Sequence, residues 1–131
     1  MLEGPVGSRW LGHLAAFRYE VRRWPTGVIP DIGEAVAHQV VSQDPAQARR
    51  LLELVPCVPA LTWGRDESRT SDMWNSNSVV AWLLAASGHD TGPIAPPGRG
   101  RAPGWHAGLV VAARRTNASG RVGAAAKTGS E

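Results

Sequence analysis

The sequence predicts a small α+β domain, and three observations predict it. Apolar and charged residues alternate from Ala16 to Trp24. Helix-start signals stand at Asp31 and Asp44. Eight successive apolar residues, Val79 to Ala86, follow a polar motif, Asn75-Ser76-Asn77-Ser78. Alternation of this kind makes a half-buried strand, and a capping residue ahead of spaced apolar residues makes a helix. At about 100° per residue, the run from Val79 covers a helix all the way round, so burial on all sides is expected. The expected architecture is a small antiparallel sheet packed on this buried central helix. It occupies residues 9–113, between a flexible N-terminus, 1–8, and a disordered basic tail, 114–131.

Taken in order, residues 1–8 are rich in Gly and Pro and are expected to be loose. In the first strand Phe17, Tyr19 and Val21 share one face, and Arg18, Glu20 and Arg22 the other. Pro25-Thr26-Gly27 makes a turn, with a short return strand at Val28-Ile29. Asp31 with Glu34 opens a helix through about Val41, with Ile32, Val36 and Val40 inward and His38 off that stripe. Asp44-Pro45 opens a second, running to about Val55 with Ala48, Leu51, Leu52 and Val55 inward. Pro56 to Trp63 is expected to be extended and to end in a strand, Ala60–Trp63, with Cys57 a buried thiol. Gly64 to Asp72 reads as a charged, solvated loop, or as one that turns Asp66 or Glu67 toward the central helix.

Asn75 caps the central helix, and Gly88 closes it as a C′ glycine. His89 is placed to meet its last carbonyls. Residues 91–104 hold too much Gly and Pro for regular structure, and Gly108 to Ala113 reads as a strand buried on both faces.

Charge and composition narrow the classes of function. The formal charge is +3, but residues 99–131 carry six cationic side chains against Glu131 alone, and residues 1–98 net −2. The folded part is therefore no basic platform, and nucleic-acid binding through the C-terminal segment ranks lowest. No apolar run approaches the roughly 18 residues of a membrane span, and no leader pattern stands at the N-terminus, so a cytoplasmic location is expected. Cys57 is the single cysteine, which excludes an internal disulfide and a cysteine cage; no metal or cofactor is expected. Six tryptophans are many for this length. Trp63, Trp74 and Trp105 lie near junctions between loops and elements. Exposed together they would make a protein-binding patch, and buried they would be core.

The chemistry-bearing candidate is the polar motif. Unpaired N–H groups at the start of a buried helix favour negative charge, and a serine there needs a base within hydrogen-bond reach. His13 is the candidate base, with Ser76 the nucleophile and Asn75 and Asn77 as oxyanion or positioning residues. Helix capping accounts for the same four residues without any chemistry.

A histidine near an early strand, followed by Asn75-Ser76-Asn77 opening an apolar helix, resembles the permuted NlpC-type branch of the papain-like superfamily. That branch includes lecithin:retinol acyltransferase-like enzymes and bacterial relatives with Asn-Ser-Asn at this place. The resemblance implies a papain-like fold over about Gly12 to Gly88. It implies Ser76 at the nucleophile position, His13 at the base position and Glu20 as the third polar residue. Three departures accompany it: serine replaces cysteine, His13 lies in Gly-His-Leu-Ala-Ala, and three expected strands make an incomplete sheet. The resemblance and its departures together imply a non-catalytic or weakly active relative of amide and ester hydrolases, either whole or a fragment. The alternative is a structural or protein-interaction module using exposed tryptophans.

Overall fold

The computed structural model describes residues 1–23, 33, 39–96, 98 and 100–127. Within them the chain is α+β, with three α-helices and a two-stranded antiparallel sheet. The expected turn at Pro25–Gly27, the strand at Val28-Ile29, and the body of the helix from Asp31, with Ile32, Val36 and His38, lie outside the described residues. Its expected end, Gln39–Val41, is not helical, and Val40 and Val41 are exposed.

Strand β1, Leu2–Pro5, pairs antiparallel with β2, Arg18–Val21, Leu2 opposite Val21 and Gly4 opposite Tyr19. The N-terminus expected to be loose is thus half of the sheet. Gly4 makes the pairing possible, because a Cβ there would strike the Tyr19 ring lying across it. Strand β2 is shorter than its alternating pattern, since Ala15–Phe17 coils into a 3-10 turn ahead of it. Beyond β1 the chain meets Trp63, whose N–H donates to Pro5 O at 2.8 Å and whose O accepts from Gly7 N–H at 3.0 Å. This single parallel bridge, Val6 to Trp63, is all that forms of the strand expected at Ala60–Trp63. Pro56 and Pro59 supply no N–H to a ladder, and Val55–Cys57 is a 3-10 turn. That turn leaves Cys57 exposed between buried Val55 and Val58, contrary to the expected buried thiol.

Helix α1, Pro45–Leu54, starts as expected, with the Asp44 carboxylate accepting from Ala46 N–H at 2.8 Å and proline in its first turn. Its inward residues are Leu51 and Leu54, continued by Val55; Ala48 and Leu52 face out. Gln47 donates through Nε2 to Gly88 O at 2.8 Å, so the helix docks by a face turned from the expected stripe.

Helix α2, Ser76–Ala86, is the centre of the molecule. Its end is a Schellman motif: Gly88 at φ +83° donates to Ala85 O, and His89 N–H to Leu84 O. The His89 ring does not reach the carbonyls but pairs through Nδ1 with Ser87 Oγ at 2.7 Å. Ser78, Val79, Ala81, Trp82, Leu83 and Leu84 are buried, with Trp82 at 0% exposure. Burial is not complete all round. Val80 is 49% exposed, one turn above exposed Ser76, which leaves an open stripe.

Helix α3, Trp105–Lys127, replaces the strand expected over Gly108–Ala113 and runs past the boundary drawn at Ala113. Among its described side chains Ala107, Gly108 and Ala112 are buried; Gly108 and Ala112 pack on α2 and its core, and Ala107 lies with Trp74 and the charged loop. Gly108 lets the backbones touch, since a Cβ there would meet Ser78 O and the Ala81 methyl. Val55, Val58, Trp74, Val79, Trp82, Leu83 and Ala112 form the core, with Tyr19, Val21 and Trp63 of the sheet side packed against it.

Candidate functional site

The motif at the start of α2 is largely consumed by structure. Asn75 Oδ1 accepts from the N–H groups of Asn77 and Ser78, at 2.9 and 3.3 Å. Ser78 Oγ accepts from Asn75 N–H at 3.0 Å, which completes a capping box, and donates to Met73 O. The amide nitrogens of Asn75 and Asn77 both donate to Pro103 O at 2.9 Å, just ahead of α3. Asp72 accepts from Met73 N–H through one carboxylate oxygen and from Gly104 N–H, at 2.7 Å, through the other. Gly104 itself sits at φ +88°, where side chains are disfavoured, and against the Asn75 side chain. The motif and Asp72 thus clasp the first turns of α2 and α3 together, and the Asp72 charge suits the positive end of α3.

Ser76 is the exception. Among the described residues its hydroxyl has no hydrogen-bond partner, and it opens onto a groove of about 600 Å3 with Glu20, Val21, Arg22, Trp63, Val79 and Val80. One wall is the end of β2 and the residue after it; the other is the exposed stripe of α2. Glu20 lines the same groove as Ser76, with its carboxylate ion-paired with Arg22. His13 is exposed in the 3-10 turn Leu11–His13 and lines a separate groove of about 560 Å3 with Glu3, Arg9 and Arg18. No histidine lines the Ser76 groove among the described residues.

The charged loop is organised rather than merely solvated, and its carboxylates turn toward their own loop and the N-terminal segment. Asp66 accepts from Thr70 N–H at 2.7 Å and Ser71 N–H at 2.9 Å. These bonds, the one from Thr70 foremost, lower its pKa and hold Arg69 and Ser71 at positive φ. Glu67 accepts from Thr62 N–H at 2.8 Å and Arg9 Nε at 2.6 Å. Desolvation pushes its carboxyl up, but the hydrogen bonds from Arg9 and Thr62 outweigh it and hold the group at about 2. The acid that reaches the clasp is Asp72, expected only as part of the charged loop. An acidic residue three places before the capping Asn75 was its only signal.

Trp63, Trp74 and Trp105 do not form an exposed patch together. Trp74 is core, at 2% exposure, and Trp63 is half-buried with its ring 4.8 Å from that of Tyr19. Trp105 lines a third groove with Asn77, Arg101 and His106. Two arginines of the basic C-terminal segment also have structural partners. Arg114 donates to Ser68 O, and the Arg115 guanidinium lies 5.2 Å from the centre of the Trp82 ring. Among the described residues, no three metal-ligating side chains converge, and no helix is long and apolar enough to cross a membrane. No protein-family model, curated protein or solved structure matches the chain.

Proposed function

We propose that this chain is a non-catalytic protein-interaction module, akin to NlpC-type papain-like proteins that have lost the active site. Its binding face is the groove between β2 and α2. One observation carries the reading: Asn75, Asn77 and Ser78 are spent on the cap and the clasp, while Ser76 faces a groove that, among the described residues, no histidine lines and whose one carboxylate, Glu20, is ion-paired with Arg22. A serine hydroxyl without a base is a poor nucleophile, whatever the helix start offers as an anion site. The groove suits an extended apolar segment instead. Val21, Val79, Val80 and Trp63 line it, with Glu20 and Arg22 at its border.

Two measurements test this. A fluorophosphonate probe is expected to leave the native chain unlabelled; labelling that disappears in Ser76→Ala would establish the serine hydrolase reading instead. Peptides selected on the immobilised chain from a random library are expected to lose roughly tenfold or more in affinity for Val80→Asp, a charge inside the apolar wall. Binders indifferent to that substitution would move the binding face elsewhere.

A further inference from the structure

The clasp between α2 and α3 borders a groove of about 580 Å3, distinct from the one that Ser76 lines. Its volume falls within the range of about 300–1,000 Å3 that small-molecule sites occupy. Asp72, Asn77, Ile94, Arg101, Trp105 and His106 are among its lining residues. Asp72, Arg101 and His106 also line a smaller depression of about 290 Å3.

The clasp fixes which hydrogen-bonding groups the groove offers. Asn77 donates through Nδ2 to Pro103 O at 2.9 Å, which turns Oδ1, an acceptor, away from that bond. Each Asp72 oxygen accepts one backbone N–H, from Met73 at 2.9 Å and from Gly104 at 2.7 Å. A carboxylate oxygen has two lone-pair sites, so Asp72 can accept further bonds without releasing the clasp. These acceptors come from the α2 side. The α3 side brings donors: Arg101 from the loop ahead of the helix and His106 from its first turn, both exposed. Half-buried Trp105 and Ile94 add apolar surface, and an indole face attracts both cations and rings. A simple anion would meet Asp72 here, and a simple cation would meet Arg101. A ligand carrying an ammonium and a carboxylate together meets a partner for each, through charge-assisted hydrogen bonds. With a ring added for Trp105, that description is an aromatic amino acid.

We propose that this groove holds a free aromatic α-amino acid, its ammonium on Asp72 and Asn77 Oδ1, its carboxylate on Arg101 and His106, and its ring against Trp105 and Ile94. Isothermal titration of the full chain with L-phenylalanine, at up to about 10 mM, is expected to give a dissociation constant below about 1 mM. N-acetyl-L-phenylalanine lacks the ammonium, L-phenylalaninamide the carboxylate and L-alanine the ring. Each is expected to bind roughly tenfold or more weakly than L-phenylalanine. Arg101→Gln, at an exposed position, is expected to weaken L-phenylalanine by a similar factor without weakening L-phenylalaninamide, with circular dichroism confirming the fold. A chain that does not take up L-phenylalanine overturns the proposal. So does equal affinity for any of the three analogues, or L-phenylalanine binding indifferent to Arg101→Gln. The analogues are read on the native chain, so the test does not depend on the variant. The Ser76 groove is tested separately, on Val80 by peptide binding.

Discussion

At the residue scale, Asn75 does more than its neighbour Ser76. Its carbonyl oxygen satisfies two N–H groups of the α2 start, and its amide nitrogen holds Pro103 O. Asn75→Ala removes both, and the expected loss is about 1–2 kcal/mol, the upper range for an N-cap. Ser76→Ala, at an exposed position with no hydrogen-bond partner among the described residues, is expected to stay within about 0.5 kcal/mol. Urea unfolding of the two variants against the native chain makes the comparison; equal losses would mean the cap is not carried by Asn75. The asymmetry also bears on function, since a motif kept for chemistry would be expected to spare its polar atoms from such work.

At the element scale, the α2–α3 contact explains why α3 is a helix at all. A short apolar run such as Gly108 to Ala113 fits a buried strand and a buried helix equally well when read alone. The contact decides it, because the small residues Gly108 and Ala112, four apart on one helical face, meet α2 and its core. Gly108→Val drives a branched side chain into Ser78 O and Ala81, and overpacking of this sort costs about 1–3 kcal/mol. Its thermal unfolding midpoint should fall well below that of Ala113→Val, an exposed position of the same helix. Equal shifts would show that the interface tolerates the volume. The beginning of α1 and both ends of α2 were legible because caps are local: Asp44, Asn75 and Gly88 act on residues a few places away. The face of α1 was not, because Gln47 reaches the carbonyl of Gly88, just past the end of α2.

At the scale of the whole molecule, the N-terminal segment is tied to the body by contacts far apart in sequence. Arg9 reaches Glu67, Tyr19 Oη donates to Leu61 O at 2.8 Å, and β1 lies between β2 and Trp63. Glu67 makes this attachment sensitive to acid. Its carboxyl titrates at about 2 in the folded chain against 4.5 ordinarily, so the unfolded chain binds the proton first as pH falls. The stabilisation is complete above about pH 4.5 and is lost progressively toward about pH 2. Glu67→Gln is therefore expected to lower stability at neutral pH and to flatten its decline over that window, as followed by denaturant unfolding at several pH values. A parallel decline in both chains would assign the acid sensitivity elsewhere.

The candidate site divides along the same line. That Asn75 to Ser78 opens a buried helix follows from the residues themselves, since a cap and an apolar run need only their immediate neighbours. That Ser76 and Glu20 share a groove while His13 lines another depends on where β2 comes to rest beside α2 and the Leu11–His13 turn beside β1. The strand character of Leu2–Pro5 and the helical state of Gly108–Ala113 were likewise settled by partners distant in the chain: Tyr19 across a glycine, and α2 across a seam of small residues. The sequence by itself determined the α+β class, the central helix and its caps, because local hydrogen bonds and apolar periodicity suffice for those. Tertiary structure alone decided the pairing of β1, the state of α3 and the grouping of the polar candidates, because burial and close backbone approach exist only once the partners meet.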